Sequence, residues 1–355
     1  MSRTIMIMAG GTGGHVFPGL AVAAELRARG WRVVWLGTEG GMERKLVPEH
    51  GYDMELIRFS GVRGKGMFAW LLLPLRLLVA FWQGAVAIFR QRPDVTLGMG
   101  GYPAFPGGMM AALLGKPLAI HEQNSVAGLS NRVLAHVADR VLIAFPGALA
   151  GKNLTVTGNP VREAIAALPA PGERFAGRSG PLQLLVVGGS LGAMALNAAL
   201  PRALALIPPA QRPQVTHQSG ARHIGQLRAA YQEAGVAAEA VAFIDDMAAA
   251  LSRCDLVICR AGALTVAELA AAGAASILVP FPHAVDDHQT VNARHLADAG
   301  AALLLPQAEL TPERLAELVR SLDRRLLLSM AEAARRLAKP QAARQVADIC
   351  MELAA

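Results

Sequence analysis

Short apolar runs recur along the chain and alternate with stretches that carry alanine and leucine at helical spacing. In the first half the runs predict buried strands at 4–8, 32–36, 95–99, 118–121, 140–144 and 154–157. A proline- and glycine-rich stretch, "LPAPGERFAGRSGP" (168–181), then reads as a hinge or linker. Beyond it the pattern restarts with "LQLLVVGGSLGAMALN", and further strands are predicted at 214–218, 240–243, 255–259 and 276–280. Residues 311–355 read as helical. Strands alternating with helices mark an α/β protein with parallel sheets. Two strand–glycine–helix openings predict two Rossmann-like domains facing across a cleft. Their expected bounds are 1–160 and 161–340, with 341–355 a C-terminal helix packing back on the first domain.

One segment competes with this picture. "MFAWLLLPLRLLVAFWQGAVAIF" (67–89) has the length of a membrane span. Arg76, Pro74, Gln83 and Gly84 within it argue against a span, which would also divide the two halves of the chain. A helix part buried and part exposed fits better, and its basic neighbours Arg58, Arg63, Lys65, Arg76, Arg90 and Arg92 would suit an anionic lipid surface. An ordinary core helix is the other reading.

Composition narrows the classes. At 355 residues, 53% hydrophobic and 17% charged, the chain can build two cores and is not a disordered sequence. A formal charge of +7 suggests an anionic partner: a nucleotide, a nucleic acid or an acidic membrane. Cys254, Cys259 and Cys350 lack metal-ligand spacing and read as buried thiols in a reducing compartment. The first residues do not have the pattern of a signal peptide, so a cytoplasmic setting is expected.

Three glycine-rich turns carry the candidate chemistry: "GGTGGH" (10–15), "GMGGYPAFPGG" (98–108) and "GGSLGA" (188–193). Each closes an apolar strand, where open α/β sheets bind ligands. None ends in Gly-Lys-Ser/Thr, which disfavours a nucleoside triphosphatase. The first lacks the dinucleotide spacing, and no acidic residue closes the next strand, "WRVVWLG".

These turns occur in order with "HEQN" (121–124), "GNPVR" (158–162), "FIDDM" (243–247), "CRAGALTVAEL" (259–269) and "PFPHAVDDHQTVNA" (280–293). Across nearly the whole chain the set resembles the MurG family. Members add N-acetylglucosamine from UDP-N-acetylglucosamine to the 4-hydroxyl of undecaprenyl-pyrophosphoryl-muramoyl pentapeptide in peptidoglycan synthesis. The resemblance implies an inverting glycosyltransferase of GT-B architecture that uses neither metal nor cofactor. Its acceptor half would be N-terminal and its donor half C-terminal. It would work peripherally on the cytoplasmic face of the inner membrane, against an anionic surface and without nucleic acid. A UDP-sugar 2-epimerase, or a GT-B transferase with another acceptor, is the competing enzyme reading. A nucleic-acid binder rests on the net charge alone, and three tyrosines are few for base stacking.

The resemblance also implies roles for residues. Ser190 and its neighbouring N–H groups would nest the donor pyrophosphate, and Arg162 would add positive charge. Thr265 and the helix start formed by Ala263, Leu264, Thr265, Val266 and Ala267 would meet the diphosphate, with Glu268 on the ribose hydroxyls. Ile244 would lie near the uracil, Gln289 would read the sugar, and Thr12, Gly13, Gly14 and Asn124 would complete the donor set. Gly100, Gly101 and Tyr102 would line the acceptor pyrophosphate. His15 is a candidate general base, with a phosphate or hydroxyl contact as the rival role, and Glu122 is a weaker catalytic candidate. The adjacent aspartates of "FIDDM" are expected on opposite faces of a strand.

Overall fold

The computed structural model describes residues 2–61, 71–151, 153–189 and 192–355. Ser190, Arg63, Lys65 and the first residues of the 67–89 stretch lie outside the described residues. The chain divides into two compact units: Met1–Arg162 with Pro340–Ala355, and Glu163–Lys339.

The first unit is built on a seven-stranded parallel sheet: β1 (Thr4–Ala9), β2 (Arg32–Thr38), β3 (Asp53–Ile57), β4 (Val95–Gly100), β5 (Leu118–Glu122), β6 (Arg140–Ile143) and β7 (Leu154–Val156). Their order is β3-β2-β1-β4-β5-β6-β7. The central strand explains the unbroken apolar runs. Ile5, Ile7 and Ala9 enter one buried cluster with Val16, Val22 and Trp35. Met6 and Met8 enter another with Leu36, Ala80 and Ile88, on the opposite face of the sheet. Helices cover both faces of the central strands, which is why those strands read as unbroken apolar runs. The helices used below are α1 (Gly13–Ala28), α2 (Glu43–Glu49), α3 (Leu73–Gln91), α4 (Ala104–Leu113) and α5 (Leu129–Leu134).

The last helix, Ala342–Leu353, belongs to this first unit. Its buried Val346, Ala347 and Cys350 join the cluster of Ile5 and Val16, and Asp348 pairs with Arg29 beyond the end of α1.

The second unit holds a six-stranded parallel sheet: β8 (Gln183–Val187), β9 (Gln214–Gln218), β10 (Glu239–Val241), β11 (Leu256–Cys259), β12 (Ser276–Leu278) and β13 (Ala302–Leu304). The order is β10-β9-β8-β11-β12-β13. Asp255, fully buried, ties the entrances of β8 and β11 together. Its carboxylate accepts from Gln183 N (2.9 Å), Arg178 (2.6 Å) and Arg324 (3.1 Å).

Three expectations need correction. The stretch 168–181 is no linker: it contains the helix Pro171–Phe175, and the units divide after Arg162. The buried Arg174 guanidinium anchors it by donating to the carbonyls of Leu251 (3.0 Å), Ala272 (2.6 Å) and Gly273 (2.5 Å), and burial pulls its pKa below the usual value. The pair Asp245–Asp246 is not on a strand, because β10 ends at Val241. Asp246 instead caps the helix Met247–Arg253, accepting from Ala249 N at 2.8 Å. Two strands escaped the apolar-run criterion, β3 and β13. Both are sheet edges, and in β3 only Ile57 is buried.

Candidate functional site

Each sheet reverses its strand order once, between β1 and β4 in the first unit and between β8 and β11 in the second. Such a switch point opens a crevice beyond the strand ends, because the connections on its two sides leave in opposite directions. All three glycine turns, together with the Cys259–Leu269 turn, follow one of these four strands.

In the first unit the turns after β1 and β4 are pressed together. Gly100 and Gly101 have φ of +90° and +78°, a region that β-carbons disfavour. A Cβ on Gly100 would also stand 2.7 Å from His15 Nδ1, and one on Gly101 would collide with Gly10 O. Thr12 caps α1 through its backbone, its carbonyl accepting from His15 N (3.1 Å) and Val16 N (3.2 Å). Gly13 and Gly14 open the helix, and His15 is half-buried in its first turn. The His15 Nδ1 edge meets Gln123 Oε1 at 3.0 Å. Tyr102 is exposed beside this turn, edge-on to Phe59 at 6.3 Å.

Glu122 and Asn124 follow from β5. The Glu122 carboxylate is buried and accepts from Asn124 N (2.9 Å), Asn124 Nδ2 (3.2 Å), Gly128 N (3.2 Å) and Asn131 Nδ2 (2.8 Å). Its oxygens are thus committed to shaping the 123–131 loop. Arg162 ends this unit, its guanidinium 5.6 Å from the Phe17 ring of α1.

Sequence reading missed Glu43. This carboxylate is wholly buried and accepts from Thr38 N (2.9 Å) and Thr38 Oγ1 (2.7 Å) on one oxygen, and from Gly11 N (2.9 Å) on the other. It pins the first glycine turn to the end of β2. The missed signal was glycine itself: Gly10, Gly37 and Gly41 all leave room that a Cβ would take from this side chain.

In the second unit the helix Ala263–Ala272 starts directly after the β11 turn, with Gly262 as its cap and no acidic residue in its first turn. No side chain caps it, and the positive end of its dipole lies at this turn. Thr265 is half-buried one turn in, and Glu268 is buried on the same helix. Gln218, also unforeseen, bridges two turns: its Nε2 donates to Gly189 O (3.1 Å) and its Oε1 accepts from Ile244 N (3.1 Å). Gln289 accepts from Phe281 N at 2.9 Å, fixing the turn that leads into its helix. Just before it, Asp286 and Asp287 hold left-handed φ of +53° and +48°, uncommon for residues with a β-carbon. Arg260 clips neighbouring strand ends through Val279 O (3.1 Å), Pro280 O (3.1 Å) and Gln307 Oε1 (2.6 Å). Among the described residues no group of three or more His, Cys, Asp or Glu is gathered as for a metal ion.

Residues 5–143 match the Glycosyltransferase family 28 N-terminal domain, and residues 183–348 match the Glycosyltransferase family 28 C-terminal domain. The UDP-N-acetylglucosamine–N-acetylmuramyl-(pentapeptide) pyrophosphoryl-undecaprenol N-acetylglucosamine transferase of Nitrosospira multiformis is 64% identical, over 100% of both chains. Its counterpart in Aromatoleum aromaticum is 65% identical, over 99% of this chain and 98% of that one. Among solved structures, Acinetobacter baumannii MurG is similar at 42% identity and a TM-score of 0.85, covering 99% of each chain. With matches that run the length of both units, the chain belongs to glycosyltransferase family 28 and, within it, to the MurG family.

Proposed function

We propose that the protein transfers N-acetylglucosamine from UDP-N-acetylglucosamine to the 4-hydroxyl of a muramoyl pentapeptide carried on undecaprenyl pyrophosphate. The observation that carries this reading is whole-length identity of 64% to a transferase named for that reaction. The pairing of glycine turns with strand-order reversals in both sheets supports it from the geometry.

On the donor side, the uncapped start of Ala263–Ala272 receives the diphosphate, where N–H groups and the helix dipole stabilise the charge that grows on departing UDP. Thr265 adds a hydroxyl there, Glu268 takes the ribose hydroxyls, and Ile244 and Gln289 border the uracil and the sugar. Ser190 completes the pyrophosphate nest in the sequence motif. Thr12, Gly13, Gly14, Asn124 and Arg162 supply the remaining polar contacts to the nucleotide sugar. On the acceptor side, Gly100, Gly101 and Tyr102 line the lipid pyrophosphate, and His15 removes the proton of the attacking hydroxyl. Leaving-group stabilisation by fixed N–H dipoles is compatible with a metal-independent reaction.

We assign the acceptor's membrane to one face of the first unit. Helix α3 is long and apolar enough to cross a bilayer, yet it lies in the layer covering the sheet. Ala80, Gly84, Ala87 and Ile88 bury one side, and a Cβ on Gly84 would stand 3.6 Å from Gly107 Cα in α4. The opposite side exposes Leu75, Leu78, Trp82 and Phe89, spaced as a single stripe. A helix held by one face and apolar on the other suits a peripheral position, with the stripe in the lipid interface. Of the basic neighbours, Arg58 pairs with Glu39 and Arg90 with Glu55.

A coupled assay tests the reading. Full-length protein should release UDP from UDP-N-acetylglucosamine only when a lipid-pyrophosphoryl muramoyl pentapeptide is added. Acceptor-independent UDP release, with N-acetylmannosamine formed, would place the protein among epimerases instead.

A further inference from the structure

We infer that Gln123 is a positioning residue that fixes the tautomer of His15. The proposal rests on reading His15 as the general base. Gln123 is buried at 1% exposure and follows β5, while its partner Met99 lies on the adjacent β4, so the device is built on rigid strands. Gln123 Nε2 donates to Met99 O at 2.8 Å, and Gln123 Oε1 stands 3.0 Å from His15 Nδ1.

The amide has one stable orientation. Turned over, it would set Oε1 against the Met99 carbonyl, two acceptors with no proton between them. Oε1 therefore faces His15, and a carbonyl oxygen can only accept. His15 Nδ1 must carry the hydrogen, and the lone pair of the neutral ring is on Nε2. The backbone of Gly100 closes the other side of the ring: a Cβ there would lie 2.7 Å from Nδ1. Among the described residues Nε2 has no hydrogen-bond partner.

The consequence is a base that is ready without rearrangement. As the acceptor oxygen bonds to the anomeric carbon, its O–H bond breaks and the proton goes to Nε2. The bond from the anomeric carbon to the UDP oxygen breaks, and its electron pair leaves with UDP. The orienting amide is uncharged, so it directs the ring without adding the counter-charge that a carboxylate would supply. "HEQN" drew attention to its charged and terminal members, yet this geometry gives Gln123 the closer link to the chemistry.

The test is nitrogen-15 NMR of the histidine-labelled full chain at alkaline pH, with the His15 signals assigned by their loss in His15→Gln. Wild-type protein should show Nδ1 protonated and Nε2 bare. In Gln123→Leu the protonation pattern should become mixed or reverse. In the same variant kcat should fall roughly tenfold or more, with KM for UDP-N-acetylglucosamine changed by less than about twofold. A protonated Nε2 in wild-type protein, or an unchanged pattern and kcat in Gln123→Leu, would overturn the proposal. The wild-type spectrum decides the tautomer even if that variant fails to fold. Full activity in His15→Gln would overturn the general-base reading itself, and with it the catalytic consequence for Gln123.

Discussion

Glu43 and Glu268 show how differently two buried glutamates register in a sequence. Glu268 sits inside a dense motif, and its place on the first helix after β11 follows from the strand-then-turn pattern around it. Glu43 stands in no motif. Its role comes from three donors brought together by folding, Thr38 N, Thr38 Oγ1 and Gly11 N, and only the coordinates reveal that meeting. Gln123 and Gln218 were hidden for the same reason, since a glutamine's two ends acquire meaning only from what each faces. Replacing Glu43 by Gln puts an amide N–H against at least one existing donor, a mismatch worth about 1–3 kcal/mol. Its expected effect is a rise in KM for both the acceptor and UDP-N-acetylglucosamine, since the first turn serves both, with the thermal midpoint little changed, read by steady-state kinetics and calorimetry. A large drop in the thermal midpoint would mean Glu43 supports the whole fold rather than the first turn. Glu268→Gln should act on the donor alone: UDP binding weakens by roughly 5- to 150-fold, the loss of 1–3 kcal/mol from a paired acceptor, while acceptor KM holds. Unchanged UDP affinity would remove Glu268 from the nucleotide site.

Helix α3 is the element on which length and composition mislead. By those criteria it could span a bilayer, but one side, Ala80, Gly84, Ala87 and Ile88, is buried and three of those four residues are small. The burial pattern, not hydropathy, distinguishes a helix lying on a surface from one crossing it. Leu75, Leu78 and Trp82 are 61%, 64% and 66% exposed, so changing all three to Gln or Ser removes little packing from the core. That triple variant should keep its thermal midpoint and its turnover of a short-chain soluble acceptor, and lose most binding to phosphatidylglycerol vesicles in a flotation assay. Salt should release the wild type only in part, because apolar insertion is not screened. Retained vesicle binding in the variant would refute the assignment of the stripe. At the same scale, the interior strands were legible because both faces are buried, whereas β3 and β13 were not, because an edge strand needs no continuous apolar run. The 168–181 stretch failed in the opposite sense: loop composition concealed an arginine anchored on three carbonyls.

At the scale of the molecule, each unit hides one neutral histidine. Burial pulls His121 down to about 4 in the first unit and His217 down to about 4 in the second. His217 sits between Tyr231 Oη (2.9 Å) and Asn197 Oδ1 (3.1 Å), and His121 donates from Nε2 to Gly158 O (3.0 Å). The unfolded chain protonates near 6.5, so below that pH it binds protons that the folded units refuse. Stability is therefore full above about pH 6.5 and falls as the pH drops toward 4, by at most roughly 1.4 kcal/mol per pH unit for each histidine. Urea unfolding at pH 7.5 and pH 5.0 should show both units losing stability at the lower pH. Equal stability at the two values would contradict the buried neutral state. The division into two sheets was readable from the repeated strand–glycine–helix opening, and the membership of the last helix in the first unit is carried by Val346, Ala347 and Cys350.

The central claim is an inverting transfer of N-acetylglucosamine onto a lipid-linked muramoyl acceptor, and the structure of the product tests it most directly. Incubating full-length protein with UDP-N-acetylglucosamine and a short-chain lipid-pyrophosphoryl muramoyl pentapeptide should give one disaccharide product. Proton NMR should show a new β-anomeric signal coupled through the linkage to the muramoyl 4-position, with one UDP released per linkage. An α-linkage, attachment at another hydroxyl, or a sugar altered while still bound to UDP would contradict the account.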